Sequence, residues 1–296
     1  MRVVLFGTGA MACLFGARLA KFAEVTLVGT WKDAIETVRN RGILFEDLSV
    51  KESFQVQAQF LDDPPVPASL VLVCVKSWQT GRVAAKLEDY LEPHGVAITL
   101  QNGLGNVELL GPRAFAGSTE MGATLLGPGH VRAGGSGRTF STAPDESLEI
   151  LRLAGFETYR CGEDEVDSLL WGKLCISCGI NALTGLLRVK NGELLEIPGA
   201  CELMEKAASE CAQVAYAKGI RLPYVNPEAR VKEVARNTTS NRSSMYQDLL
   251  RRAPTECDAI YGSVVREAQR LKVDVPVNRM LGTIVCALVK RTGEVA

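Results

Sequence analysis

The sequence predicts a doubly wound α/β half, residues 1–165, followed by an all-α half, residues 166–296. Three observations carry that reading. Continuous apolar runs of strand length alternate with amphipathic segments of helix length up to about residue 165. A glycine turn follows directly on the first of those runs. Beyond Asp164 the strand signals give way to helical periodicity that lasts to the end of the chain.

"RVVLF", "EVTLV", "LVLVCV" and "VAITLQ" are apolar runs, as strands of a parallel sheet covered on both faces must be. Between them, "MACLFGARLAKF" and "TGRVAAKLEDYL" read as helices. The stretch "GATLLGPGHVRAGGSGRTFSTA" combines glycine-rich turns with alternation, which predicts antiparallel strands extending the sheet at one end. Helices are then expected over 166–185, 200–218, a short segment near 228, 255–271 and 277–291. The sequence contains no internal repeat and no low-complexity segment.

Composition excludes several classes of function. The 296 residues are 47% hydrophobic and 23% charged, ordinary for a soluble globular protein with length enough for two cores. A net charge of -1 gives no electrostatic case for nucleic acid or a membrane surface. No apolar run is expected to approach the length needed to span a bilayer, and the N-terminus reads as a strand and turn, without a signal peptide. The cytoplasm is the expected compartment. Nine scattered cysteines read as reduced core residues. Cys175 and Cys178 form a CxxC inside a helix, with no second such pair, and His94 and His130 fall in the loop-like contexts "EPHG" and "GPGHV". No metal site is expected, and two histidines leave little room for a His-based triad.

The turn "GTGAMA" places Gly7 and Gly9 at the first two positions of GxGxxG and Ala12 at the third. Gly7 permits the tight turn, Gly9 lets backbone approach a pyrophosphate, and Ala12 lets the helix pack on the strand. The pyrophosphate then rests on the helix N-terminus, so Gly7, Thr8, Gly9, Ala10, Met11 and Ala12 are the expected dinucleotide-binding residues. An NAD-preferring site places an acid at the end of the second strand, but "LVGTWKD" has Gly29, Thr30 and Trp31 there. NADP is therefore favoured. Lys32 either neutralises a 2'-phosphate or is the first turn of a solvated helix.

The stretch "LLWGKLCISCGINALTG" reads as a helix apolar nearly all round, yet it carries Lys173, Ser177 and Asn181. Spacing of four puts the three on one face, rising about 6 Å per step. A lone helical lysine is ordinarily solvated; a polar stripe on a buried helix more naturally lines a site. Lys76 and Asn102 follow the ends of two successive strands, at the edge where open α/β sheets bind ligands. Ser244 lies in the polar cluster "NTTSNRSSM" between helical stretches, where it either holds a carboxylate or serves a turn or cap. Glu256 follows Pro254 and Thr255 and reads as a first-turn acid or a site residue.

Taken together, "GTGAMA", "CVKSWQT" with Lys76, "QNGLGN" with Asn102, "WGKLCISCGINALTG" with Lys173 and Asn181, "KNGEL" with Asn191, "NRSSMYQDL" with Ser244 and "PTECDAIYG" with Glu256 resemble the ketopantoate reductase (2-dehydropantoate 2-reductase) family, in its order and over essentially the whole chain. The resemblance implies a Rossmann domain followed by a helical domain of the 6-phosphogluconate dehydrogenase C-terminal type, with the active site in the cleft between them. It implies NADPH-dependent reduction of 2-dehydropantoate to pantoate, a step toward pantothenate and coenzyme A. It also implies that Lys173 is the general acid, that Asn181, Asn191 and Ser244 hold substrate, and that Lys76, Asn102 and Glu256 contact cofactor or lie where cofactor meets substrate. Two departures stand out: Ser177 replaces a frequent asparagine, and the frequent basic residue ending the second strand is missing, with Thr30 nearby. Rival readings are another NADP-dependent 2-oxo or 3-hydroxy acid dehydrogenase and a non-catalytic dinucleotide sensor. The long helices of the second half serve as core or as surfaces for a homodimer.

Overall fold

Two structural units divide the chain, the first comprising Met1–Gln101 with Asn106–Val166 and the second Asn102–Gly105 with Asp167–Ala296. They are seen in a computed structural model that describes residues 1–293. The strands are β1 Arg2–Phe6, β2 Glu24–Gly29, β3 Ile43–Glu46, β4 Lys51–Phe54, β5 Gln57–Phe60, β6 Ala68–Val73, β7 Leu91–Thr99, β8 Ala114–Thr119, β9 Ala123–Gly127, β10 His130–Ala133, β11 Arg138–Ser141 and β12 Glu157–Arg160. The helices are α1 Ala10–Leu19, α2 Lys32–Arg41, α3 Thr80–Ala84, α4 Asn106–Leu110, α5 Asp145–Leu153, α6 Glu163–Leu187, α7 Pro198–Ala217, α8 Pro227–Asn237, α9 Ser244–Leu250, α10 Ser263–Leu271 and α11 Pro276–Gly293.

The main sheet runs β12-β11-β8-β7-β6-β1-β2-β5. From β8 to β5 every pairing is parallel, the doubly wound order that reverses between β1 and β6. Val3, Leu5, Leu70 and Leu72 face one core, Val4, Phe6, Val71 and Val73 the other, and all are buried. That two-sided burial is why these strands read as unbroken apolar runs.

Several expectations are corrected. Of the predicted antiparallel strands only β11 joins the main sheet, antiparallel to β8, while β9 and β10 form a second sheet of order β4-β3-β10-β9. Once β11 occupies the β8 edge, β10 pairs in parallel with β3. "TGRVAAKLEDYL" is not one helix: α3 stops at Ala84, and Leu87–Tyr90 forms a 3-10 turn that puts buried Leu87 and Tyr90 into the core three residues apart. His94 and His130 lie in strands β7 and β10, and His130 meets Glu46 at 3.2 Å. Most short strands escaped the pattern because they are exposed on one side; Lys51, Glu52 and Ser53 of β4 face solvent.

The helical unit packs around α6, whose Trp171, Leu174, Cys175, Cys178 and Ile180 are buried. A Cβ on Gly179 would lie 2.7 Å from Val231 and 2.9 Å from the Met204 carbonyl, so α7 and α8 approach this helix where it has no side chain. The expectation that no apolar run reaches spanning length is also corrected. Among the described residues α6 alone, with 25 residues, is long and apolar enough to cross a membrane by length and composition, and it is the core helix of this unit. Six cysteines are buried, Cys74 and Cys201 are half-buried, Cys286 is exposed, and all nine are free thiols.

Candidate active site

β1 delivers the chain to Gly7 at φ 129, a backbone region that L side chains rarely adopt. A Cβ there would also stand 3.2 Å from the Cys74 carbonyl carbon and oxygen, which follow β6. The turn after β1 is thus pressed against the turn after β6, at the point where strand order reverses. Gly9 is the N-cap of α1, and a Cβ on it would meet nothing within 4 Å. No side chain caps α1, and its first turn holds no acid, so the helix presents its positive end and its first N–H groups to an anion. Thr8 and Ala12 are buried, while Gly9, Ala10 and Met11 are half-buried. This geometry fits a pyrophosphate.

β2 ends at Gly29, and a Cβ on Gly29 would lie 2.9 Å from Thr8 Cγ2. The threonine of the glycine turn occupies the space that a side chain at the end of β2 would need. Lys32 opens α2, with its side chain 72% exposed and 3.7 Å from Glu36. Exposed pairs of this kind bind weakly, so Lys32 can leave Glu36 for a stronger anion.

Lys76 is the N-cap of the 3-10 turn Ser77–Gln79 and is half-buried. This turn rests on a polar network that sequence reasoning missed. The buried Thr80 hydroxyl accepts from Gln101 Nε2 at 2.8 Å and shares its proton between Ser77 O at 2.8 Å and Asn106 Oδ1 at 3.0 Å. Gln101 Nε2 also donates to the Val75 carbonyl at 3.0 Å. Thr80, Gln101 and Asn106 are terminal letters of "CVKSWQT" and "QNGLGN", so the motifs marked the residues but not their bonding.

In the helical unit Asn102 Nδ2 donates to Glu256 Oε2 at 3.1 Å, and Glu256 is 5% exposed. Their approach is fixed by Gly103, at φ 81, where a Cβ would lie 2.4 Å from the Ala259 carbonyl oxygen. Glu256 precedes a π-helical turn, Asp258–Gly262, which continues directly into α10.

Lys173, Ser177 and Asn181 are each half-buried on one face of α6, whose neighbouring faces are closed. The Tyr224 hydroxyl donates to the Gly172 carbonyl beside Lys173 at 2.8 Å. Thr184 lies 2.7 Å from Ser243 Oγ, and Ser243 accepts from Tyr246 N–H at 3.1 Å as the cap of α9. Ser244, expected between helical stretches, is instead the half-buried first residue of α9, and the capping role falls to Ser243. Asn191, 7% exposed, donates from Nδ2 to Thr238 Oγ1 at 2.9 Å and leaves its Oδ1 without a protein partner. Buried acceptors normally have a donor, so Oδ1 suits a ligand hydroxyl. Cys175 and Cys178 are fully buried, and the pKa of the Cys178 thiol is raised, mainly by that burial.

Both halves of the chain match known families. The ketopantoate reductase PanE/ApbA model covers residues 3–145, and the ketopantoate reductase PanE/ApbA C-terminal model covers residues 165–289. A 2-dehydropantoate 2-reductase from Halobacterium salinarum is 35% identical over 99% of this chain and 100% of its own length. Among solved structures, a PanE/ApbA family ketopantoate reductase from Ralstonia eutropha matches with TM-score 0.90 and 29% identity, covering 99% of this chain and 100% of the other. A ternary structure of D-mandelate dehydrogenase with NADH and anilino(oxo)acetate has the same TM-score, 0.90, and the same coverage at 23% identity, a likeness of fold. An open glycine turn in a doubly wound sheet and a lysine-bearing helix in an all-α unit are thus joined in one chain that, by both family models and a full-length relative, belongs to the ketopantoate reductase family.

Proposed function

We propose that this oxidoreductase reduces 2-dehydropantoate to pantoate with NADPH, as the domain that binds NADP, residues 1–165, and the domain that binds substrate and carries the acid, residues 166–296, divide the work. The bound dinucleotide supplies hydride to the ketone carbon. The alkoxide left behind needs a proton and a positive charge at the same oxygen, and an ammonium provides both. Lys173 is that general acid. The observation that carries the reading is its place in the stripe: the one cationic head on a half-buried face of a helix closed on its other sides.

Asn181, Asn191, Ser244 and Ser177 hold the substrate, and the orphan Asn191 Oδ1 supports a hydroxyl-bearing one. Asn102 and Glu256, already hydrogen-bonded to each other, order the place where cofactor meets substrate, and Lys76 contacts the cofactor. The absence of an acid at Gly29 and Thr30 supports NADP over NAD. A net charge of -1 supports a small-molecule partner, neither nucleic acid nor membrane, and the free cysteines support a cytoplasmic location. A homodimer is tested by light scattering.

The test is loss of NADPH absorbance on adding 2-dehydropantoate to the purified protein. No oxidation above the rate without protein would sink the proposal. Ser177, shorter than an amide, supports a second reading in which the pocket takes another 2-oxo acid; a panel of such acids under the same assay separates the two.

A further inference from the structure

Tyr261 reaches from outside α6 into the backbone of that helix in the middle of the polar stripe. Its ring is 1% exposed, and its hydroxyl accepts from the Ala182 N–H at 3.0 Å while donating to the Cys178 carbonyl at 2.9 Å. The Ser177 carbonyl is 3.4 Å away. Residues 178 and 182 are the pair whose N–H and C=O meet directly in a regular α-helical turn. The hydroxyl therefore competes with that bond at both of its atoms, and insertion of a side chain into the helix ladder is one of the few identified causes of a local bend. The turn that the hydroxyl enters lies after Lys173 and Ser177 and contains Asn181.

The ring is held firmly enough to act as a wedge. Tyr261 belongs to the π-helical turn Asp258–Gly262, a geometry that recurs at functional sites. A Cβ on Gly282 of α11 would stand 2.8 Å from Tyr261 Cβ, so the opposing helix presses on the root of the side chain. Thr184 engages the next turn from the other end, with its hydroxyl 2.9 Å from the Ile180 carbonyl and 3.1 Å from that of Asn181, a back-bonding pattern that favours bending in the same stretch. Burial keeps the phenol protonated, so it remains a donor across the working pH range.

We propose that Tyr261 is a positioning residue for the reduction: its hydroxyl wedges open the α6 turn between Ser177 and Asn181 and thereby sets where the Asn181 amide lies relative to the Lys173 ammonium. The inference rests on the proposed roles of those two side chains. Tyr261 touches no substrate; it acts through the helix backbone, and the same π-helical turn that carries it begins directly after Glu256 and Cys257.

The test is Tyr261→Phe, measured alone, beside Asn181→Ala, and in the double variant. Phe keeps the volume, and the freed Cys178 C=O and Ala182 N–H can bond to each other, so the turn closes and the protein folds. KM for 2-dehydropantoate should rise about tenfold and kcat fall by a similar factor, as expected for a displacement of a fraction of an ångström at a substrate-holding group. The dissociation constant for NADPH should stay within twofold. In the Asn181→Ala background, Tyr261→Phe should change KM less than twofold, because the group it places is already gone. A folded Tyr261→Phe protein with KM and kcat within twofold of the parent overturns the proposal, and so do effects that multiply independently in the double variant. A variant too unstable to fold overturns it as well, since the two freed backbone groups would then have failed to satisfy each other. An unchanged KM in Asn181→Ala alone locates the failure in the substrate-holding role of Asn181, and the proposal falls with it.

Discussion

Two helix N-termini, those of α1 and α11, meet the same physical demand in opposite ways. Each ends a helix with unpaired N–H groups and the positive pole of a dipole. At α11 the protein supplies its own anion: Glu210 of α7, 8% exposed, accepts from the N–H of Val277 at 2.9 Å, from the N–H of Asn278 at 2.9 Å and from Asn278 Nδ2 at 2.9 Å. At α1 no side chain caps the helix and no acid lies in the first turn. A helix end closed by a buried carboxylate is part of the scaffold, whereas one bordered by glycine with open space at its N-cap suits a ligand's phosphates. Glu210 shows, inside the same molecule, what the anion at α1 would do.

The comparison can be sharpened or broken, beginning with the variant of largest effect. Lys173→Ala should lower saturated turnover by about 10² to 10⁴ while leaving both helix ends intact, so that thermal midpoint and NADPH affinity hardly move. Near-normal turnover in a folded, NADPH-binding protein would make the stripe structural. Glu210→Ala should cost about 2 to 4 kcal/mol of stability in denaturant unfolding, because it strips three hydrogen bonds to a buried charge and leaves their donors unsatisfied. A loss under 1 kcal/mol would mean water replaces the carboxylate without penalty.

Gly9→Asp applies the Glu210 solution to α1. Gly9 has an extended backbone, φ -86 and ψ -170, and open space beyond its Cα, so an aspartate fits as an N-cap. Stability should hold or rise by a few tenths of a kcal/mol, while NADPH binding weakens at least about tenfold as one anion displaces another, tenfold being 1.4 kcal/mol. Undiminished binding in titration calorimetry would dissociate α1 from the pyrophosphate. The smallest effect belongs to Lys32→Ala, which should narrow the preference for NADPH over NADH a few-fold; an unchanged ratio of dissociation constants would leave Lys32 as the solvated first turn of α2.

The same contrast explains what was legible in the sequence. The α1 turn could be read because its demands fall on consecutive residues: a glycine for φ, a second for access, a small residue for packing. The α6 stripe could be read because polar residues four apart break an apolar background. Glu210 and Tyr261 could not, since each is a single polar or aromatic residue in a helical pattern whose partners lie 67 and 83 residues away. Thr80, Gln101 and Asn106 were hidden differently: they lie inside recognised motifs, but nothing local says that they bond to one another. The short strands β3, β4 and β5 lacked periodicity long enough to register, and the second sheet went unseen with them.

The contact of Thr8 with Gly29 bears on any attempt to redesign cofactor choice. Grafting an aspartate onto the end of β2 is the obvious route to an NADH-using variant, but here the new Cβ would arrive 2.9 Å from Thr8 Cγ2 and 3.3 Å from its hydroxyl oxygen. Thr8 is itself a member of the glycine turn, so a shift that made room for the aspartate would disturb the loop meant to hold the phosphates. On the proposed reading of this site, nucleotide selectivity and phosphate grip are mechanically coupled through Thr8, and a switch of coenzyme would call for a smaller residue at position 8 together with the acid at position 29.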